Sequence, residues 1–164
     1  AVMDLTAEYY LQTVDTVFVK HSMPKGEMTH RGKPVDLSKI ERVSQTRIVA
    51  GKDFIQLSGD DPNAVGYNAQ GGVGCISVTS NVAPKLCAEL QNATSAGAWD
   101  VANDINDRLM PLHEAMFCEP SPGPAKFGAS LLGLCGAEVR LPVLELTDAA
   151  TARVKAAMVH AGLL

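Results

Sequence analysis

The chain has 164 residues, 46% of them apolar and 20% charged, with a net charge of −4 at neutral pH. That is the make-up of a globular chain with a core of its own, and the charge excludes the strongly basic surface that binds nucleic acid. No apolar run approaches the roughly 18 residues of a membrane span, and the opening AVMDLTAEYY has neither the basic nor the apolar region of a secretory signal, so no membrane partner is expected.

In chain order, Asp4 to Thr13 mixes helix formers with apolar positions and predicts a helix, followed by a strand or continued helix to Val19. The stretch Lys20 to Pro34 is polar and broken by proline and glycine, which predicts a loop. Asp36 is placed to cap a helix that continues to Ala50 and stops at Gly51. Then come two short apolar stretches read as parallel strands, 54–58 and 74–79, with a possible third near 15–19. Each of the first two runs into a turn, and Pro84 opens a helix at the position where proline is tolerated. Helices are predicted over 84–95, 98–117, 123–134 and 147–161. Pro111 is expected to kink or split the second, and Gly162 to end the last. The fold class that follows is helix-rich α/β with a C-terminal helical bundle.

Cys75, Cys87, Cys118 and Cys135 are scattered with no C-x-x-C pair, which predicts reduced, mostly buried thiols in a cytoplasmic protein and no metal site. Other motifs carry little chemistry. His113-Glu114 begins like a zinc-binding H-E-x-x-H, but the fifth residue is Phe117. Asp60-Asp61 reads as a turn with capping carboxylates before it reads as a metal site. Gly71-Gly72-Val73-Gly74 precedes its strand, where a dinucleotide fingerprint must follow one. The cations Lys20, Lys25, Arg31 and Lys33 beside two histidines read as a solvated loop rather than a phosphate site.

The motifs LSGDD at Leu57–Asp61 and GGVGCISVTSNVAP at Gly71–Pro84 resemble dihydrodipicolinate synthase of the pyruvate-dependent aldolase family. Arg108-Leu-Met-Pro-Leu-His113, Glu119-Pro120, Arg140-Leu-Pro142 and His160-Ala-Gly-Leu163 extend the resemblance, which is continuous from about Val43 to Leu164 and covers the last part of such a protein. It implies an incomplete (β/α) barrel fragment, the last two βα units with the helical tail. A closed barrel typically takes about 250 residues and rarely fewer than about 200. The activity implied is that of a lyase of lysine biosynthesis condensing pyruvate with aspartate semialdehyde, with no cofactor.

In that family a lysine on an apolar barrel strand forms a Schiff base with pyruvate. It lies about 25 positions before the glycine that is Gly59 here, which points to Pro34 and its neighbour Lys33 in a loop-like setting. Lys20 follows the apolar Thr16-Val-Phe-Val19 but has the wrong spacing, so both read as ordinary solvated lysines. The family's YNxPxRT and GTTGE motifs do not occur, so no catalytic residue carries over. The resemblance carries over only the substrate-binding backbone of Gly59 and Ile76, at the pyruvate end of the pocket.

Residues 1–42 differ in kind. EYYLQTVDTVFVKHSMPKGEMTHRGKPVDLSKI is similar to a segment of intracellular poly(3-hydroxybutyrate) depolymerase, an α/β-hydrolase-type enzyme, yet no G-x-S-x-G nucleophile turn occurs. The expected organisation is therefore a depolymerase-like segment, 1–42, joined to a synthase-like part, 43–164. A natural fusion, a recombinant chimera or an assembly artefact would each produce such a seam, and the initial alanine fits a partial or processed chain. Two functional readings follow. One is a synthase-like lyase, inactive alone because its catalytic strands are missing, which takes pyruvate only where a pocket forms. The other is a non-catalytic interaction protein whose exposed apolar faces are covered by a protein partner or a homo-oligomer.

Overall fold

The computed structural model describes residues 42–164 together with two short strands, β1 (Thr29–His30) and β2 (Lys33–Pro34). The chain divides into two units, 1–39 and 40–164. In the first, β1 and β2 pair antiparallel, with Thr29 opposite Pro34 and His30 opposite Lys33. The loop expected over 20–34 thus contains a minimal hairpin, and two-residue strands are too short for residue patterning to announce. The helix expected over 4–13 and the strand near 15–19 lie outside the described residues.

The second unit is helix-rich: α1 (Arg42–Ala50), α2 (Ala64–Ala69), a 3₁₀ turn (Thr79–Asn81), α3 (Pro84–Ser95), α4 (Trp99–Ala115), α5 (Gly123–Leu131) and α6 (Asp148–His160). Gly51 ends α1 at φ +92, a left-handed conformation that glycine adopts without strain, as its place in the sequence predicts. The beginning of the helix expected from Asp36 lies outside the described residues. Thr147 caps α6 with extended backbone, its Oγ1 accepting from the Ala150 N–H at 3.3 Å. Pro111 does not split α4, which runs unbroken from Trp99 to Ala115. Leu109, Leu112, Ala115 and Met116 flank it fully buried on one face, and that packing holds the helix through the missing N–H.

The core lies between helices. Packed side by side, α3 and α4 form one layer, and α6 packs on both α4 and α5. Leu90, Leu109, Leu112, Met116, Val154 and Met158 fill the space between them. The Arg108 guanidinium, on α4, donates from Nε to the Ala161 carbonyl at 2.8 Å, so a cation closes the carbonyl end of α6. Short polar ties hold α1 and α2 to the rest. Arg47 Nη1 donates to the Gln70 carbonyl at 2.7 Å, and Asn68 Nδ2 donates to Gln91 Oε1 at 2.7 Å and to Thr94 Oγ1 at 3.0 Å. Among the described residues no helix is long and apolar enough to cross a membrane.

The expected strands 54–58 and 74–79 are corrected. What forms is a single parallel bridge, Ser58 to Cys75. Ser58 N–H donates to the Gly74 carbonyl at 2.8 Å, Ile76 N–H donates to the Ser58 carbonyl at 2.8 Å, and Val73 N–H donates to the Gln56 carbonyl at 2.9 Å. The pairing is parallel, as the sequence implied, but two things shorten it. No further strand flanks the pair among the described residues, and the Asp61 carboxylate takes the backbone N–H groups of Val78 and Thr79, turning 77–79 away from a ladder and into the 3₁₀ turn. The short helix α2 was not anticipated, because AVGYNA carries a glycine and an asparagine in its six residues.

Truncation of Leu109 in the middle of this core, Leu109→Ala, is expected to lower unfolding free energy by about 2–5 kcal/mol, whereas the exposed Val101→Ala on the same helix should cost well under about 1 kcal/mol. Denaturant titration of both variants checks the contrast.

Candidate functional site

The loops that leave the two strand segments meet at one buried carboxylate. Asp61 is 4% exposed and lies at the end of the LSGDD turn. Its Oδ2 accepts the Val78 N–H at 2.9 Å and the Thr79 N–H at 3.3 Å, while its Oδ1 accepts the Ser77 hydroxyl. Ser77 Oγ in turn accepts the Ser80 N–H at 2.8 Å. A buried charge is costly unless hydrogen bonds replace its water, and these donors do so. The sequence reading of Asp60-Asp61 as capping carboxylates is right in kind. Asp60 caps locally, taking Asn63 Nδ2 at 2.5 Å, while Asp61 caps a turn 17 residues further along the chain.

Behind the carboxylate, Thr79 Oγ1 stands 2.8 Å from His113 Nδ1, and His113 Nδ1 lies 3.9 Å from Asp61 Oδ1. His113 is 1% exposed, and its Nε2 has no hydrogen-bond partner among the described residues. Burial pushes the imidazole below its ordinary 6.5, while the carboxylates of Asp61 and Asp60 pull the other way. The ring is therefore neutral at pH 7, and the contact with Asp61 is not an ion pair. A cavity of about 240 Å³ opens beside this network, lined by Asp61, Cys75, Ser77, Cys87, Gln91 and His113. Burial lifts the Cys75 thiol to about 12 and the Cys87 thiol to about 11, so both stay protonated and are poor nucleophiles. All four cysteines are free. Cys87 alone is buried and Cys135 is exposed, which corrects the expectation of mostly buried thiols. Among the described residues no group of three or more His, Cys, Asp or Glu side chains is placed to hold a metal ion.

Gly59 and Ile76 stand beside the bridge at the ends of the two segments, both exposed. A Cβ built on Gly59 would meet nothing within 4 Å, so the space in front of this backbone is open. Lys33 belongs to the other unit, paired in β2, and Lys20 lies outside the described residues. His113, read from the sequence as a failed zinc motif and as the end of a family motif, is the ring behind the turn. Ser77 and Thr79 were passed over. Their signal was a pair of hydroxyls at alternate positions of an otherwise apolar stretch.

The sequence profile of the dihydrodipicolinate synthetase family matches residues 36–161, through the turn, the bridge and all of α1 to α6. The chain belongs to this family. A second profile, of the PHB de-polymerase C-terminus, matches residues 1–70 and overlaps the first over 36–70. The chain is 61% identical over 126 residues to the 4-hydroxy-tetrahydrodipicolinate synthase of Cereibacter sphaeroides, which covers 77% of this chain and 43% of that one. Among solved structures, the dihydrodipicolinate synthase of Thermotoga maritima is similar with a TM-score of 0.73 and 32% identity over 79% of this chain and 44% of its own. The synthase of Acinetobacter baumannii, solved as a complex with pyruvate, is similar with a TM-score of 0.73 and 29% identity over 77% of this chain and 44% of its own. The chain thus spans less than half the length of the relatives it matches.

Two measurements check the network. Asp61→Ala orphans two backbone donors and a hydroxyl, at about 1–3 kcal/mol for each buried group left unpaired, and should lower the denaturation midpoint by an amount readily read in urea. Because the His113 pKa is depressed on folding, the unfolded chain takes up the proton first. Stability is full above 6.5 and falls as the pH drops below it, by up to about 1.4 kcal/mol per pH unit. In His113→Gln that share of the acid sensitivity should vanish from thermal melts recorded between pH 7.5 and 5.

Proposed function

We propose that this chain carries the last two βα units and the helical tail of a dihydrodipicolinate synthase-like barrel, and that by itself it does not condense pyruvate with aspartate semialdehyde. The observation that carries the reading is the parallel bridge of Ser58 to Cys75, with Ile76 exposed beside it and open space in front of Gly59. In a completed barrel that backbone would line the pyruvate end of a pocket. A pocket needs walls on every side, and two strand segments supply one.

The chemistry needs an amine that is neutral and desolvated when it attacks the ketone of pyruvate. Lys33 follows the glycine and arginine of a polar loop sequence and is paired opposite His30 in the two-residue β2 of the other unit. The groups near the bridge are unsuited to replace it. The Cys75 and Cys87 thiols are held protonated, and His113 is turned toward Thr79. In this reading the 164 residues belong by descent to a lyase of lysine biosynthesis, act as a non-catalytic part, and take pyruvate only where a partner completes the pocket. Four free cysteines fit a reducing compartment such as the cytoplasm.

The test is intact mass after incubation of the purified chain with pyruvate and borohydride, followed by digestion to locate any adduct. No adduct is expected. A single stoichiometric adduct on Lys33 or Lys20 would overturn the reading and restore a working Schiff-base site within these residues.

A further inference from the structure

The surroundings of the buried His113 provide for a neutral ring only. Nδ1 meets Thr79 Oγ1 at 2.8 Å, and Nε2 has no hydrogen-bond partner among the described residues. A protonated imidazole carries an N–H on both nitrogens. Here the second N–H would be a charged donor without an acceptor, which is costly in a buried place. The Asp61 carboxylate, 3.9 Å from Nδ1, compensates in part, but its oxygens already take the Ser77 hydroxyl and the Val78 and Thr79 N–H groups. A proton therefore binds this ring well only where water reaches it.

What covers the ring decides what has to move. The helix that carries it, α4, is flanked by Leu109, Leu112, Ala115 and Met116, all fully buried. The segment 75–81, which brings Thr79 to the ring, is exposed or half-buried at every other position. Lifting 77–81 breaks the bonds of Val78 and Thr79 to Asp61 and the contact of Thr79 with the ring, and it leaves the helical core packed. Unfolding α4 would wet the same ring at the cost of that packing.

The other ionisable groups nearby leave this balance in place. Asp60 adds a weaker pull than Asp61. The second strand segment and α3 bring the Cys75 and Cys87 thiols to the same cavity, both held protonated, and α2 brings Ala64. On α3, Lys85 lies 3.9 Å from Glu89, and on α6, Arg153 lies 3.4 Å from Glu114, all four exposed. On α5, Lys126 donates to the Glu138 carbonyl. We infer that Asp61, Thr79 and His113 form a proton-operated latch: the turn 77–81 stays closed while the ring is neutral and opens locally, ahead of the helical core, when the ring takes a proton. Burial holds the ring below its ordinary 6.5, so the open form takes up the proton first. Opening then grows more frequent as the pH falls below 6.5, by up to about tenfold per pH unit. The latch does not rest on the proposed reading of the chain as a barrel part.

The test is amide hydrogen exchange of the purified 164-residue chain, followed residue by residue by NMR at pH 7.5 and pH 5, with and without sub-denaturing urea, and corrected for the intrinsic pH dependence of exchange. The Val78 and Thr79 amides are expected to exchange through an opening far more frequent than global unfolding, little accelerated by urea, and about tenfold or more as frequent at pH 5 as at pH 7.5. The Leu112 and Met116 amides should follow global unfolding, with steep acceleration by urea. In His113→Gln the pH dependence of the opening at Val78 and Thr79 should disappear. Three results overturn the inference: exchange at Val78 and Thr79 that follows global unfolding, a local opening equally frequent at both pH values, or a pH dependence that His113→Gln retains. The first two are read in the unmodified chain, so they decide the matter even where the variant does not fold.

Discussion

One carboxylate organises the region that distinguishes this chain from a plain helical bundle. Asp61 sits at the end of one strand segment, and the backbone it holds, Val78 and Thr79, begins the turn after the next. Without those donors the charge could not be buried. Without the charge, the two N–H groups and the Ser77 hydroxyl would have no common acceptor. The bridge of Ser58 to Cys75, the 3₁₀ turn and the start of α3 all lie between or next to these contacts. His113 backs the arrangement from α4 through Thr79, so the turn is fixed to the helical core as well. The network fixes the turn that follows the bridge, next to the backbone of Gly59 and Ile76.

That positioning matters because of what stands in front of it. The helices give the described part of the second unit a core of its own, and its strand segments show helix-facing residues on one side only. On the other side Ile55, Leu57 and Ile76 are exposed, and the backbone groups of Leu57 and Cys75 find no backbone partner among the described residues. The family assignment and the shared length of less than half a synthase agree with the same view. Gly59 and Ile76 lie on that exposed side, beside the bridge of Ser58 to Cys75.

Much of this was legible in the residues. Pro84 at a first helical turn, Thr147 at a cap and the three-to-four spacing through Leu109, Leu112 and Met116 set the helices close to where they form. The parallel sense of the strand pair also followed from the motifs. The extent of the strands did not, because ladder length depends on neighbours that local patterning cannot reveal, and because a distant carboxylate competes for the backbone at Val78 and Thr79. Pro111 misled for the opposite reason: its local cost is real, and the burial around it outweighs that cost. The hydroxyls of Ser77 and Thr79 were invisible as a site, since their partners Asp61 and His113 are 16 and 34 residues away.

The second unit is also unevenly anchored. The helical tail is tied together by contacts spread over α3 to α6, with Arg108 pinning the last turn to the middle of α4. The strand pair is held by three backbone hydrogen bonds, the Asp61 carboxylate and the Gln56 amide that donates to the Val43 carbonyl. The part of the unit that carries Gly59 and Ile76 is therefore its least anchored, and local opening costs least where the fewest contacts hold the backbone.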